Sequence, residues 1–238
     1  MASKSKLLCD LAAKAHEHRL VPFVGAGCSL GHIPVNWDQI AAEMARAMPG
    51  CTETDNMKIA EAYASAFGDD GFAAFLRDRL LIATYDDARG ATPLQILALE
   101  LRSVYSTNQD NVLERAAEKY GRPRVVVSTL EELATVRPGD RILYKFHGSL
   151  DHPETLVFTA SQYQKRIATP DHFMDIRLRS DLLAKRFLFI GYSFRDPNIQ
   201  ELFKEMAKRF PAALPGSLLL AYQWTPELDD LCNVNNVD

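Results

Sequence analysis

Short apolar runs alternate along the chain with longer segments in which apolar residues recur every three or four positions. A run that is apolar almost throughout is typical of a strand covered on both faces, whereas the longer period is typical of an amphipathic helix. The predicted strands are Leu20–Val24, Ser103–Ser106, Val125–Val127, Arg141–Phe146, Leu156–Phe158, Arg186–Ile190 and Ser217–Tyr222. The predicted helices are Ser5–Arg19, Trp37–Met48, Met57–Ala66, Gly71–Leu81, Thr92–Leu101, Asn111–Lys119, Asp171–Lys185 and Asn198–Arg209. This alternation predicts an α/β fold, a doubly wound parallel sheet with helices on both faces.

The section from about residue 36 to residue 101 departs from this alternation, because it holds helical patterns and no convincing strand. We interpret it as an all-helical insert over one edge of the sheet, within a single domain of residues 1–238. Asn36 stands three residues before Gln39 in the form of a capping box, and Asp196 is a cap followed by Pro197. The sequence ends at Asn233–Asp238 without the pattern of a closing amphipathic helix. This suggests either a fragment of a longer protein or a chain that packs against another chain.

Composition and charge narrow the classes of partner. The chain has 238 residues, 27 Lys and Arg against 31 Asp and Glu, and a formal net charge of −4. This balance gives no general attraction to nucleic acids or anionic membranes. The sequence shows no secretory signal and no apolar run of membrane length, and its cysteines include no CxxC pair. We therefore expect a cytoplasmic protein without zinc, without direct nucleic-acid binding and without a membrane partner.

The residues that follow the predicted strands are the candidates for a ligand site. In an open parallel sheet, ligands bind beyond the carboxyl ends of the strands, because all those ends lie along one edge. Four strands deliver small, polar or titratable residues to that edge. These segments are Gly25–Ser29, Thr107–Asp110, His147–Ser149 and Gly191–Asp196. Each segment alone is a weak signal, and their convergence predicts a site.

The Gly25-Ala26-Gly27 turn suits a phosphate group. Glycines at a strand-to-helix turn let the backbone approach a ligand and leave N–H groups for phosphate oxygens. The next glycine is Gly31, so the spacing is not the dinucleotide fingerprint GxGxxG, and no GK[ST] of a P-loop follows. A tight turn without a ligand explains these glycines about equally well.

Asn108 and His147 are the candidates for the chemistry. The Asn108 amide can fix a hydroxyl or a water, although a turn or cap residue is the alternative. His147 titrates near neutrality and follows a strand at the same edge, which makes it a candidate general base, although a lone histidine is more often structural. Asp110 and Asp196 each precede a helix. Helix capping is favoured for Asp196, and Asp110 stays undecided.

Cys28 stands at the start of a helix, where a thiol can have a lowered pKa and act as a nucleophile. Packing beneath the turn is the favoured alternative.

These segments together resemble the sirtuin-type NAD-binding fold, a Rossmann-like fold, and in particular its bacterial branch from antiviral defence systems. The motifs are Gly25–Ser29, Ser106–Asp110, Lys145–Ser149 and Gly191–Asn198, and the stretch Leu156–Tyr163 also resembles that branch. The resemblance runs from about residue 21 to residue 222. Deacylating sirtuins carry a zinc ribbon between the motifs that correspond here to Lys145–Ser149 and Gly191–Asn198, and this chain has no cysteine in that segment. Those sirtuins also have the sequence GIPDFR after the glycine turn, where this chain has His32–Trp37.

The resemblance implies that NAD is a substrate, that no zinc is used, and that NAD is hydrolysed to nicotinamide and ADP-ribose. The diphosphate would lie over Gly25, Ala26, Gly27 and Ser29. Gly191 and Ser193 would hold the adenosine half, and Asp110 would approach the nicotinamide amide. Thr107, Gly148 and Asp196 complete the expected NAD contacts. Asn108 would position the ribose hydroxyls or the attacking water, and His147 would act as general base.

The resemblance also implies a role as an effector of antiviral defence by NAD depletion. Control by homo-oligomerisation, a second domain or a separate sensor protein is then expected. Three alternatives stay open: a module that senses NAD or ADP-ribose without turnover, an NAD-dependent protein deacylase, and a structural oligomerisation scaffold. The sequence does not decide between NAD and NADP.

Overall fold

The computed structural model describes residues 4–169, 171–210, 214–221, 224–235 and 237. It contains a six-stranded sheet in the order β3-β4-β2-β1-β5-β6, in which every neighbouring pair is parallel. The strands are β1 (Leu20–Val24), β2 (Ser103–Ser106), β3 (Val125–Val127), β4 (Ile142–Lys145), β5 (Arg186–Ile190) and β6 (Ser217–Leu220). The predicted doubly wound α/β fold is therefore confirmed, and the predicted Tyr222 end of the last strand lies outside the described residues.

Ten helices flank or follow these strands in the described part of the chain. They are α1 (Lys4–His16), α2 (Trp37–Ala47), α3 (Asn56–Leu80), α4 (Thr92–Ala98), α5 (Val112–Lys119), α6 (Leu130–Thr135), α7 (Ala160–Ile167), α8 (Phe173–Ala184), α9 (Pro197–Arg209) and α10 (Pro226–Asn235). None of the described helices is long and apolar enough to cross a membrane.

Both faces of the sheet are covered. Successive side chains of a strand point to opposite faces, so Phe23 of β1 joins a core with side chains of α8, α9 and α10. Its neighbour Val24 joins a smaller core with Ile96 of α4 and Leu113 of α5. This two-sided burial explains why the strands read as nearly continuous apolar runs.

The helices of the insert pack in a third core, which also contains residues outside the insert, such as Val112, Leu150 and Phe158. Between β1 and β2 the described residues form α2, α3, α4 and short turns of 3₁₀ helix, with no strand. Met44 of α2 and Leu76 of α3 are fully buried together. The two helical patterns predicted over 57–81 form one element, α3, which is interrupted at Gly68 by a non-helical backbone with φ of 74°.

Two predictions about elements were wrong. Leu156–Phe158 is not a strand. Its ends, Leu156 and Phe158, are buried against the insert helices, so the run is apolar because the insert covers it and not because it belongs to the sheet. The expectation that no helix closes the chain also fails, since α10 packs on α9 and buries Cys232 in the main core.

Candidate functional site

A cavity of about 720 Å³ opens at the carboxyl edge of the sheet, within the size range of pockets that hold small molecules. One side, called here the loop wall, is built from residues 25–27, 29–30, 107–110, 147, 191–193 and 195–197, which follow β1, β2, β4 and β5. The other side, called the insert wall, is built from residues 35–38, 40, 54–57 and 80. Every residue predicted for the site except Gly148 lines this cavity.

The loops after β1 and β5 pack backbone against backbone. The Gly27 N–H donates to the Gly191 carbonyl at 2.9 Å. A Cβ on Gly27 would lie 2.7 Å from the Gly191 Cα, and one on Gly191 would lie 2.5 Å from the Cys28 nitrogen. Gly191 also has a φ of +61°, which disfavours any side chain. The glycines predicted for the site are therefore required by the contact between the loops themselves.

The glycine turn uses most of its own N–H groups. Gly25, Gly27, Cys28 and Ser29 each donate a backbone hydrogen bond within the two loops or to the end of β5. Among the described residues, the Ala26 N–H has no such partner. The turn therefore offers an anion fewer donors than the sequence pattern suggested.

Asn108 links two of the loops. Its Nδ2 donates to the Gly25 carbonyl at 3.0 Å and to Ser29 Oγ at 3.2 Å. Its Oδ1 accepts no hydrogen bond from the described residues, and the side chain lines the cavity. Asn108 thus links the two loops by its Nδ2 hydrogen bonds, and its Oδ1 is an acceptor available to a ligand or a water.

His147 is almost fully buried, with 2% of its surface exposed. Its Nε2 lies 3.2 Å from Asp196 Oδ2, although the angles do not meet those of a hydrogen bond. Burial lowers the pKa of His147 below its usual 6.5, and the Asp196 carboxylate partly opposes this shift. The imidazole is therefore neutral at physiological pH, which is the form that accepts a proton.

The two aspartates predicted to precede helices both cap backbone. Asp196 Oδ1 accepts from the Ile199 N–H at 3.0 Å and is the N-cap of α9, as predicted. Asp110 Oδ1 accepts from the Val112 N–H at 3.0 Å at the start of α5. Since Asp110 also lines the cavity, capping leaves its second carboxylate oxygen available to a ligand.

Gly148 and Cys28 have structural surroundings. Gly148 has a φ of +83°, and a Cβ there would lie 2.3 Å from the Thr155 carbonyl oxygen, so this position allows the chain to turn rather than contact the cavity. Cys28 is buried, and burial together with the nearby Asp110 charge raises its thiol pKa. The thiol stays protonated, so the nucleophile interpretation is wrong and the packing interpretation is confirmed.

Three cavity residues had no assigned role in the sequence analysis. Tyr163 donates its hydroxyl hydrogen to Asp196 Oδ2 at 3.3 Å. Trp37 packs edge-on against Phe158, with ring centroids 4.3 Å apart. Arg195 is the one Arg or Lys among the described residues that line the cavity. Arg195 and Tyr163 stand inside the quoted motifs, so a search for cationic and hydroxyl groups there would have found them.

The described residues contain no group of three or more His, Cys, Asp or Glu side chains arranged to hold a metal ion.

Comparison with known proteins gives a consistent set of relatives. The model of the SIR2-like domain family matches residues 102–234. The NAD(+) hydrolase ThsA of Enterococcus faecium is 31% identical over 77% of this chain and 39% of its own length. The Bacillus cereus protein of the same name is 27% identical over 84% of this chain and 42% of its own length. The predicted resemblance to sirtuin-like proteins of antiviral defence is confirmed.

A second group of relatives is more distant. Defense-associated sirtuin 2 of Bacillus subtilis is 24% identical over 84% of this chain and 20% of its own length. A crystal structure of Sir2 superposes with a TM-score of 0.48 at 16% identity, over 95% of this chain and 90% of that chain. The chain spans about two fifths of the length of the NAD(+) hydrolases that it matches.

Proposed function

The chain belongs to the SIR2-like domain family, and we propose that its cavity binds NAD and that the protein hydrolyses the bond between nicotinamide and ribose. The observation that supports this most directly is the convergence of Asn108, His147 and the glycine turn on one cavity. The names of the relatives, NAD(+) hydrolases, agree with this reaction.

The leaving group needs little help. The pyridinium nitrogen of NAD is positively charged, so when its bond to ribose C1′ breaks, the electron pair leaves with a neutral nicotinamide. C1′ then develops oxocarbenium character, and a water must attack it and lose a proton. The products are nicotinamide, ADP-ribose and one proton. Catalysis therefore depends on positioning the water and on a base to accept its proton.

Asn108 and His147 supply these two requirements. Asn108 Oδ1, which accepts no hydrogen bond from the described residues, can accept one from the attacking water or a ribose hydroxyl. His147 is neutral because burial lowers its pKa, so it can take the released proton. The insert wall lines the other side of the cavity and would limit the access of bulk water to the reacting atoms.

The remaining contacts are assigned by the same argument. Ala26 and the rest of the glycine turn, from Gly25 to Ser29, face the diphosphate. Gly191 and Ser193 hold the adenosine half, Asp110 lies toward nicotinamide, and Thr107 makes a further contact with NAD. We assign residues 1–238 to one NAD-binding domain with a helical insert at about 36–101.

We further propose that this activity depletes NAD in the cytoplasm during antiviral defence. Unrestrained hydrolysis of NAD would kill the host cell, so the activity must be kept silent until it is needed. Because the relatives are longer than this chain, control by a second domain fits, and a homo-oligomer or a separate sensor protein would serve the same purpose.

The test is a time course of NAD, nicotinamide and ADP-ribose with the purified protein, Asn108→Ala and His147→Ala. Each variant should lower turnover by roughly 100-fold or more while circular dichroism shows a folded chain. The wild-type rate should decline at a lower pH than expected for an ordinary histidine, because burial lowers the pKa of His147.

The matched controls are Asn233→Ala and His16→Ala, which change exposed residues outside the cavity and should leave turnover unchanged. Turnover that persists in Asn108→Ala or His147→Ala removes that residue from the mechanism. Binding of NAD without any product, measured by calorimetry, would replace hydrolysis with NAD sensing.

A further inference from the structure

The two carboxylate oxygens of Asp196 have different partners. Oδ1 accepts from the Ile199 N–H at 3.0 Å and caps α9. Oδ2 lies 3.2 Å from His147 Nε2 and accepts from the Tyr163 hydroxyl at 3.3 Å. One oxygen is therefore explained by the helix, whereas the other is directed at the imidazole of the base.

The surroundings of His147 fix the ring in place. Its exposed fraction is 2%. The Tyr163 ring stands edge-on to it with centroids 5.4 Å apart, and the Phe146 ring is at the same centroid distance. Nε2 is shielded from solvent and has no hydrogen bond to any described group. Asp196 Oδ2 is therefore the acceptor nearest to a buried ring nitrogen that needs one.

The two neutral tautomers of His147 differ in energy at this place. With the proton on Nε2, the ring N–H lies beside an acceptor-only carboxylate and is attracted to its charge, although the angles are not those of a hydrogen bond. With the proton on Nδ1, the Nε2 lone pair would face the Asp196 oxygen at 3.2 Å, and two acceptors would repel each other in a buried site. The Nε2–H tautomer is the favoured one.

We propose that Asp196 is a positioning residue for His147, which holds the ring proton on Nε2 so that Nδ1 presents its lone pair to the cavity. This inference rests on the proposed function, in which His147 is the base. A general base needs an unprotonated nitrogen directed at its substrate. Nδ1 makes no hydrogen bond with the described residues, and His147 lines the cavity.

The other charged groups near the ring do not compete with Asp196 in fixing the position of the His147 ring proton. Arg166 of α7 and Asp175 of α8 form a buried pair at 2.8 Å, so their charges largely cancel. Arg166 lowers the pKa of His147, whereas Asp196 and Asp175 raise it against the larger effect of burial. Tyr163 and Tyr192 are the neighbouring titratable hydroxyls, and burial raises the pKa of both, so they stay neutral.

Asp196→Asn separates the two roles of the carboxylate. Asparagine is as good an N-cap as aspartate, so α9 should keep its start. The amide that replaces Oδ2 can donate to Nε2, which would move the ring proton to Nδ1, into the cavity. We expect kcat for NAD to fall by roughly 100-fold with the KM changed far less. Any remaining pH dependence should move to lower pH, since the charge that raises the His147 pKa is gone.

The tautomer can be measured without any turnover. In ¹⁵N NMR spectra of the substrate-free protein, the His147 ring should carry its proton on Nε2 in the wild type and on Nδ1 in Asp196→Asn. The control is Asp86→Asn, which changes a cap outside the cavity, where Oδ1 accepts from the Ala88 N–H at 3.0 Å. This control should alter neither the tautomer nor kcat.

The inference and the proposed function can fail separately. A wild-type ring protonated on Nδ1, or a tautomer unchanged in Asp196→Asn, overturns the inference even if NAD is hydrolysed. An Nε2–H ring in a protein that releases no nicotinamide supports the positioning and rejects the reaction. Should Asp196→Asn not fold, Tyr163→Phe removes one donor from Oδ2 and should lower kcat by a smaller factor; an unchanged kcat would also count against the inference.

Discussion

The loop wall and the insert wall of the cavity are held by different kinds of contact. In the loop wall, glycine backbones touch at distances that no side chain could share, and Asn108 Nδ2 donates to the Gly25 carbonyl of the neighbouring loop. The insert is joined to the sheet domain by side chains, both in a buried apolar cluster that includes Leu156 and Phe158 and in polar contacts. Arg77 donates to the Leu150 carbonyl at 2.8 Å, and Glu61 accepts from Ser161.

The kind of contact in each wall determines how far that wall can move when a ligand binds. Buried backbone contacts allow little movement, because a small displacement breaks several hydrogen bonds and close packing at once. The polar side-chain contacts of the insert are exposed or only partly buried and can break singly at low cost, whereas its apolar cluster limits how far it can move. We therefore expect the loop wall to position the reacting atoms and the insert wall to adjust around the rest of NAD.

The largest effect should come from alanine at a loop-wall glycine. In Gly191→Ala the new Cβ would lie 2.5 Å from the Cys28 nitrogen at a φ of +61°. Backbone strain and overpacking together should destabilise the fold by about 2–5 kcal/mol. The comparison is Gly50→Ala between the insert helices, where φ is +83° but no atom of the described residues lies within 4 Å of the new Cβ. This change should cost about 1–2 kcal/mol.

Denaturant unfolding measures both free energies of unfolding. NAD turnover should be lost in Gly191→Ala and kept in Gly50→Ala. Equal losses of stability in the two variants would mean that the loop contact is no tighter than the insert turn.

A smaller effect should come from Arg195 in the loop wall. The glycine turn has few N–H groups left, and Arg195 is the one cation among the described lining residues. Phe194 holds the preceding backbone at a φ of +55°, with its carbonyl accepting from Gln200 at 2.5 Å. Arg195→Ala should raise the KM for NAD about tenfold, the size of one charged hydrogen bond, and leave kcat within about twofold.

Steady-state kinetics at several salt concentrations test this, since a diphosphate contact should weaken with added salt. Arg115→Ala, at an exposed ion pair with Glu118 outside the cavity, is the matched control and should behave as wild type. A loss in kcat with an unchanged KM would show that Arg195 acts on the reaction rather than on binding.

The sheet was predictable because its strands are buried on both faces. Leu20–Val24 and Arg186–Ile190 have the predicted bounds, as continuous apolar runs between polar turns. Leu156–Phe158 has the same pattern for a different reason, which is burial against the insert. The pattern alone cannot tell which neighbour covers a short apolar run. The short helices α6 and α7 were missed, although capping boxes at Thr129 and Thr159 mark their starts.

The location of the candidate site could be predicted from the sequence, but the contacts between its side chains could not. Parallel strands bring their following loops to one edge, so the positions of Asn108 and His147 follow from strand order. The pairing of His147 with Asp196 depends on the turn after β5 and on the start of α9, which place the side chain within 3.2 Å. No spacing in the sequence predicts that distance. The capping role predicted for Asp196 accounts for only one carboxylate oxygen, so it gave no reason to expect a contact of the other oxygen with His147.

The smallest effect should come from a substitution of Glu61, whose hydrogen bonds link α3 of the insert to α7. Its two oxygens accept from the Ser161 N–H and hydroxyl, both at 2.9 Å, and these bonds lower the pKa of Glu61. Glu61→Gln should weaken this link by less than about 1 kcal/mol, because the bonds lie at the surface. A carboxyl whose pKa is lowered by folding stabilises above its unfolded pKa, so the two proteins should differ at pH 7 and converge below pH 4.5.

Hydrogen–deuterium exchange locates the consequence of this change. In Glu61→Gln, amides of α2 and α3 should exchange faster, while those after β1 and β5 should keep the wild-type rate. Glu118→Gln is the control, since its carboxylate pairs with Arg115 away from both walls. If amides of the glycine turn also exchanged faster, the two walls would open as one unit. The packing of the loop wall would then depend on the insert, and the expectation that the insert wall adjusts to a ligand independently of the loop wall would be rejected.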